Sequence, residues 1–210
     1  MDKLYEELKK FRPADAAEAE AREVMLREIE QQGERLLDRE NEAHFTSSAF
    51  IVNPARTKTL MVHHNLRNTW SWAGGHADGM HDTEANARKE MLEETGVSEV
   101  RLLGGIASLE VFHVPAHVKK GKEVAAHRHL SVAYIYEVDE SAELKVCPDE
   151  NSSVEWLDVS LIAEPLFSDV DVKIYHVITA CEVRWSVHDQ PPDQCVHSPL
   201  ISACQSLITA

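Results

Sequence analysis

The sequence predicts one mixed α and β domain with an N-terminal helical extension, and three observations predict it. Apolar side chains recur every three or four positions through the first forty residues. From Phe45 onward the chain turns to short β-rich runs. Between those runs lies one capped segment, opened by Asp82 or Thr83 and closed by Gly96. A length of 210 residues allows one large domain or two very small ones, because domains run to roughly 100–200 residues. Such a chain can bury a core without disulfide or metal staples.

The elements follow in order. Leu4, Leu8 and Phe11 sit at i, i+4 and i+7 and predict a first helix. Pro13 suits the opening of a second, in which Ala17, Ala21, Met25 and Ile29 make a stripe with Val24 beside it. Gly33 is the expected stop. The Glu and Arg residues between read as a solvated face, and the pair as a helical hairpin packed on the main domain. Phe45–Val52 (FTSSAFIV) and Thr59–Val62 (TLMV), separated by the turn signal Asn53-Pro54, predict an antiparallel hairpin. Further strands are expected at Val100–Leu103, Leu109–Val114, Leu130–Val138 and Val154–Leu157. The polar stretch Pro115–Arg128 reads as a surface loop, and Asp169–Glu182 as a closing helix. The tail from Ser186, with Pro191-Pro192, has no period and is left unassigned.

Charge narrows the function. Lys and Arg number 21 against 36 Asp and Glu, a net charge of −15. That argues against non-specific nucleic-acid binding or an anionic membrane surface, both of which need a basic footprint. Small anionic ligands stay open, since a bound divalent cation reverses the local sign. Cys147, Cys181, Cys195 and Cys204 contain no C-x-x-C pair, which disfavours a zinc knuckle or thioredoxin-type site. The charged N-terminus lacks the apolar core of a signal peptide, and no run approaches the 18 apolar residues of a membrane span. The expectation is a cytoplasmic protein with free thiols.

The chemistry concentrates at Gly74–Val97. On the central helix Glu90, Glu93 and Glu94 stand at i, i+3 and i+4, which places three carboxylates on adjoining parts of one face. Ala87 and Met91 provide the docking stripe. Like charges at this spacing repel, and a hard cation such as Mg²⁺ relieves the repulsion while keeping waters and substrate phosphates. On the carboxylates alone a solvated acidic face is the ordinary reading. The Gly-Gly turn, the helix and the terminal Gly at fixed offsets favour the cation site.

The segment resembles the Nudix box, G-x5-E-x7-R-E-U-x-E-E-x-G-U, with U a bulky apolar residue. Gly75 matches the first Gly, and Glu90 the Glu of the R-E pair. Met91, the Glu93-Glu94 pair, Gly96 and Val97 match the remaining positions. His81 stands at the first Glu and Lys89 at the Arg. Both family positions frame the metal-binding carboxylates, so these departures bear on efficiency more than on the metal site. Lys keeps a charge beside Glu90 without the bidentate fork of Arg. Residues Ala43–Gly79 before the box, and Glu150–Leu157 (ENSSVEWL) after it, extend the likeness to bacterial Nudix hydrolases over roughly residues 39 to 165.

The resemblance implies an α+β fold, a mixed β-sheet sandwiched between helices. Together with the helical pattern and the aperiodic tail, it divides the chain into a helical extension at 1–38, a Nudix domain at 39–185 and a tail at 186–210. It also implies Mg²⁺-dependent hydrolysis, with Mn²⁺ as substitute, of a phosphoanhydride in a nucleoside diphosphate linked to another moiety. Glu90, Glu93, Glu94 and the Gly74 carbonyl are the implied metal ligands. Glu94, Glu93 and the off-box Glu150 are the candidate catalytic carboxylates, with Glu94 ranked above Glu150 as general base. His76, Trp72 and Lys89 are the candidate substrate contacts. The partner is a small nucleotide or other diphosphate, and a homodimer is compatible with the sequence. The rivals are a Nudix-fold binding or regulatory module without turnover and a diphosphate isomerase on the same fold. The isomerase would want a site cysteine, and none precedes Cys147.

Twelve histidines are many. His127-x-His129 at a strand start puts two imidazoles on one face, a spacing that metal sites use, and His113 and His117 lie close in sequence. No further ligand pattern accompanies them, so a loop of His and Lys contacting substrate phosphate is favoured over a second metal centre, and a mobile solvated loop is the default reading of Lys119, Lys120 and Lys122. His44 is expected to cap a strand end. Trp70 and Trp72 suit either base stacking or packing at the loop's rim.

Overall fold

The computed structural model describes residues 1–66, 68–119 and 121–162. The helix expected at Asp169–Glu182 and the tail from Ser186 lie outside the described residues.

Two helices open the chain. Helix α1 (Asp2–Lys10) carries Asp2 in its first turn and Lys9 and Lys10 in its last, the signs its dipole favours, and it buries Leu4 and Leu8. Helix α2 (Ala16–Gln32) begins later than Pro13 suggests, because Asp15 is its N-cap. The Asp15 carboxylate accepts the Glu18 N–H at 2.8 Å, and Glu18 reaches back to accept the Ala14 N–H at 2.7 Å. The result is a near-capping-box that satisfies two orphan donors. Glu18 is buried, and its other oxygen accepts the Ser108 hydroxyl at 2.9 Å, so the carboxylate is fully engaged. It takes the inward place the apolar stripe had assigned to Ala17, which is exposed, while Ala21, Met25 and Ile29 are buried as expected. Gly33 ends the helix at φ 56°. A 3-10 turn (Gly33–Leu37) then buries Leu36 and Leu37.

The sheet is built around β1 (Ala43–Val52), all ten residues of which are buried. It runs parallel to β9 (His127–Glu137) from Ala43 opposite Arg128 to Val52 opposite Glu137. On its other edge it pairs antiparallel with β4 (Ala73–His76) and, at Ile51 and Val52, with β2 (Lys58–His64). Strands β3 (Thr69–Ser71) and β10 (Asn151–Asp158) extend from β2, while β5 (Arg101–Leu102) and β6 (Ser108–Val114) extend from β9. Neither β3 nor β4 was expected from the sequence. Both are short, and Gly74-Gly75 carries no strand-forming side chains. The loop expected at Pro115–Arg128 contains a two-stranded ribbon, β7 (His117–Lys119) and β8 (Lys122–Val124), turned at Gly121 with φ 78°. Its polar sequence lacks the alternation that marks a half-buried strand, and His117, Val118, Lys122 and Glu123 are exposed.

Alternation along β1 sorts the two faces of the sheet. Ala43, Phe45, Ala49 and Ile51 join Leu130, Val132, Tyr134 and Tyr136 of β9 in one core. That core also takes Leu4 and Leu8 of α1, Met25 and Ile29 of α2, and Ala87 and Met91 of α3 (Thr83–Thr95). His44, Thr46, Ser48 and Phe50 fall on the opposite face. The N-terminal helices therefore share the sheet's core. Fully burying an apolar side chain such as Leu8 contributes about 1.5–3 kcal/mol. Helix α3 is fastened to β9 at its start. Tyr134 and Thr83 hydroxyls lie 2.7 Å apart, and the Tyr136 hydroxyl donates to the Glu84 carbonyl and carboxylate. Burial pushes both phenols far above their ordinary range, so they remain neutral donors.

Candidate active site

The site begins with the capping of α3. Asp82 accepts the N–H groups of Glu84 and Ala85, both at 3.1 Å, and Gly96 closes the helix in the left-handed region at φ 77°. Between these caps Ala87 and Met91 turn into the core. The same rotation brings Glu90 and Glu94 against β4 and leaves Glu93 more exposed. Glu94 is 6% exposed, and its Oε1 accepts the Gly74 N–H at 3.1 Å. Glu90 lies over Gly75 so closely that a Cβ there would fall 2.5 Å from the carboxylate carbon. The opening Gly of the box is thus a steric requirement of Glu90. Buried Asn86 donates to the Gly75 carbonyl at 3.4 Å.

Lys89 stands between two of the carboxylates. Its Nζ lies 3.0 Å from Glu90 and 3.1 Å from Glu93. Burial pushes the Glu90 carboxyl above its ordinary range; Lys89 opposes that shift, and the charges of Glu93 and Glu150 add to it. Burial works against the Lys89 ammonium, but hydrogen bonds to Glu90 and Glu93 outweigh it and hold its pKa above the usual value. Glu150 therefore lies within electrostatic reach of Glu90 although it comes sixty residues later in the chain. The neighbouring Asn151 connects the two segments. Its side chain donates to the Glu94 carbonyl at 3.0 Å and accepts the Cys147 N–H at 3.2 Å.

His81, at the first-Glu position, has other partners. Its Nδ1 is 3.2 Å from the N-terminal ammonium and its Nε2 is 3.7 Å from Glu34. No sequence pattern points to the Arg39–Asp78 pair, in which the guanidinium grips both carboxylate oxygens. Arg39 holds Asp78 below the usual carboxylate range, and its own charge is felt by Glu90. No spacing rule links residues thirty-nine apart, so only the fold could reveal this brace.

Trp72 packs on Phe50 with ring centroids 4.4 Å apart, beside a small apolar cluster that includes Met61 and Ile162. That is the packing alternative for Trp72, and the ring stays half-buried. His76, opposite Thr46 in the β1–β4 register, lies beside a group of imidazoles. His44 ties the start of β1 to the preceding turn, its Nδ1 donating to the Asn41 carbonyl at 2.9 Å. Burial lowers its pKa below the ordinary value and disfavours the charged ring. His113, opposite Arg128, is absent from that group.

No helix among the described residues is long and apolar enough to cross a membrane. The NUDIX domain model matches residues 43–178, more than half of the chain. No curated protein matches the sequence. Among solved structures, an Ap4A hydrolase of C. elegans in a binary complex is similar at 13% identity and TM-score 0.51, over 66% of this chain and 97% of that one. A dihydroneopterin triphosphate pyrophosphohydrolase of E. coli is similar at 14% identity and TM-score 0.53, over 63% and 92%. These likenesses concern the fold; the family model supplies the family, and it covers both the carboxylate helix and the strand beneath it. The chain belongs to the Nudix family of pyrophosphohydrolases.

Proposed function

We propose that the protein hydrolyses a phosphoanhydride bond in a nucleoside diphosphate linked to a second moiety, by attack of water on phosphorus, with Mg²⁺ as cofactor and Mn²⁺ as substitute. The observation that carries the reading is the seating of Glu90 and Glu94 on Gly75 and Gly74. A desolvated carboxylate, a second one fixed by a backbone N–H, and a third on the next turn form an all-oxygen donor set. Oxygen donors are what a hard cation requires. Lys89 supports the same point, since its ammonium already bridges Glu90 and Glu93.

Glu90, Glu93, Glu94 and the Gly74 carbonyl would hold the ion, which supplies charge neutralisation for an in-line displacement at phosphorus. Glu94 is the first candidate to take the proton of the attacking water, because its carboxylate is oriented by the Gly74 N–H. Glu150 is the second, exposed and electrostatically coupled to Glu90, and Glu93 is the remaining carboxylate on that face. Lys89 offers its cation to the substrate's phosphates. His76 follows the two glycines on β4 but its side chain falls on the face opposite Glu90, which makes it the weakest of the substrate contacts, and Trp72 offers a ring face for a base. The reading takes a small diphosphate as substrate and the cytoplasm as setting.

Turnover of ADP-ribose, dinucleoside polyphosphates and nucleoside triphosphates, with and without Mg²⁺, tests the proposal. Reaction in ¹⁸O-labelled water should place the label on a phosphate. Glu94→Gln should lower the single-turnover rate by at least about a hundredfold, the lower range for lost acid–base catalysis, while the melting temperature holds. Absence of Mg²⁺- or Mn²⁺-dependent cleavage in the wild type, or an unimpaired Gln variant, would overturn it.

A further inference from the structure

Four histidines from three strands meet on the face of the sheet opposite α3. The register explains why. His44 of β1 is the parallel partner of His129 of β9, and His127 lies two residues earlier on the same face. His76 of β4 pairs with Thr46, two residues from His44, so its side chain falls on that face too. Ring centroids are 4.9 Å apart for His44 and His129, 5.0 Å for His127 and His129, and 5.2 Å for His44 and His127. His76 stands 5.1 Å from both His44 and His129.

We infer that His44, His127 and His129 form a binding site for a divalent transition-metal ion of the zinc class, separate from the carboxylates of α3. One ligand nitrogen from each ring lies within 4.8 Å of the other two, and among the described residues no other trio of His, Cys, Asp or Glu is gathered so tightly.

The hydrogen bonds orient the rings for this purpose. A backbone carbonyl only accepts, so His44 Nδ1 must donate to the Asn41 carbonyl, and His127 Nδ1 to the Ala125 carbonyl at 2.8 Å. In a neutral imidazole that leaves Nε2 of each ring unprotonated, with a lone pair to offer. Metal-bound histidines characteristically use this arrangement, in which an outer carbonyl fixes the tautomer. His44 is 1% exposed, and its Nε2 is buried without a hydrogen-bond partner. A lone pair shut away from water and left unmatched is a ligand atom awaiting an acceptor of electrons.

The spacing fits as well. The Nε2 atoms of His127 and His129 are 3.1 Å apart. Two nitrogens bound tetrahedrally at about 2.0–2.1 Å from zinc would be about 3.3–3.4 Å apart. With its Nδ1–H given to Ala125, a neutral His127 accepts across this gap from His129. A shift of the His129 proton to the other ring nitrogen turns Nε2 to the ion without changing the net charge. Three imidazoles with no carboxylate in the trio select Zn²⁺, Co²⁺, Ni²⁺ or Cu²⁺ over Mg²⁺ and Ca²⁺, which demand oxygen. Three ligands leave a fourth position for water, and His76 is a further imidazole 5.1 Å from both His44 and His129. The bound ion would staple the start of β1 to the start of β9, two strands joined by no short connection.

The test is a Co²⁺ titration of the full chain in excess Mg²⁺, which occupies oxygen sites, followed by displacement with Zn²⁺. We expect one equivalent of Co²⁺ with the intense visible bands of tetrahedral nitrogen coordination, and a rise in melting temperature with Zn²⁺ that a chelator reverses. His44→Gln and His129→Gln, close in size to the originals, should weaken Zn²⁺ binding by more than the 10- to 100-fold typical of losing an outer partner. Glu94→Gln should leave the Co²⁺ spectrum intact. Absence of tetrahedral bands in the wild type overturns the inference whatever the variants do. Persistence of the bands in either His variant, with the far-ultraviolet spectrum unchanged, overturns it as well, as does their loss in Glu94→Gln.

Discussion

The carboxylate of Glu90 occupies the space that a side chain on Gly75 would need. A Cβ there would come within 2.5 Å of the Glu90 carboxylate, whereas a Cβ on Gly74 would meet the Ser47 carbonyl oxygen at 2.6 Å. One neighbour is the tip of a rotatable side chain and the other is a strand backbone. The two adjacent glycines therefore predict different failures. Gly75→Ala should displace Glu90 and lower turnover by at least about a hundredfold, the scale expected when catalytic positioning is lost, with little change in melting temperature. Gly74→Ala should push β4 off β1 and destabilise the fold by about 1–3 kcal/mol, the usual cost of overpacking. Melting curves and single-turnover rates on both variants check the contrast.

Lys89 makes a testable substitute for the missing box Arg. Its ammonium holds Glu90 and Glu93 together. Lys89→Arg should preserve or raise activity, because a guanidinium offers a planar fork to the same carboxylates. Lys89→Met keeps the aliphatic stem and removes the cation, so activity should fall by about tenfold, equivalent to about 1.4 kcal/mol in the barrier. An unchanged rate in the Met variant would show that Lys89 frames nothing.

Asp82 joins the cap of α3 to α1. It accepts two helix N–H groups and pairs with Lys3 at 2.6 Å. The Lys3 hydrogen bond, and then the helix N–H groups, hold its pKa below the ordinary 3.8. A depressed folded pKa contributes stability above the unfolded value and loses it as pH falls through the folded one. Asp82→Ala should cost about 0.5–2 kcal/mol at neutral pH, nearly all from the lost cap, since the exposed ion pair adds little. Measured well below 3.8, the difference between wild type and variant should shrink.

Leu8, at 0% exposed, sits in the same core as Phe45, Leu130 and Met91. Leu8→Ala should destabilise the protein by about 2–5 kcal/mol, lowering the urea midpoint of a single transition seen by fluorescence and circular dichroism alike. Separate transitions for the helices and the sheet would show that the N-terminal helices fold independently.

The sequence by itself determined what depends on near neighbours. Leu4 and Leu8 on α1, Met25 and Ile29 on α2, the Asp82 and Gly96 caps, and the i, i+3, i+4 carboxylates of α3 all follow from helical period and capping chemistry. The spacing from Gly75 to Val97 also made the family legible. Tertiary structure decided the rest. Glu18 rather than Ala17 turns inward because Ser108 waits for it across the core. Arg39 reaches Asp78, Glu150 comes near Glu90, and His44 meets His129 only once β1 and β9 lie parallel. The His127-x-His129 spacing was visible in the chain, but its third partner was not, since strand register is a long-range property. A slip of one residue would turn His44 to the opposite face of the sheet and dissolve the cluster.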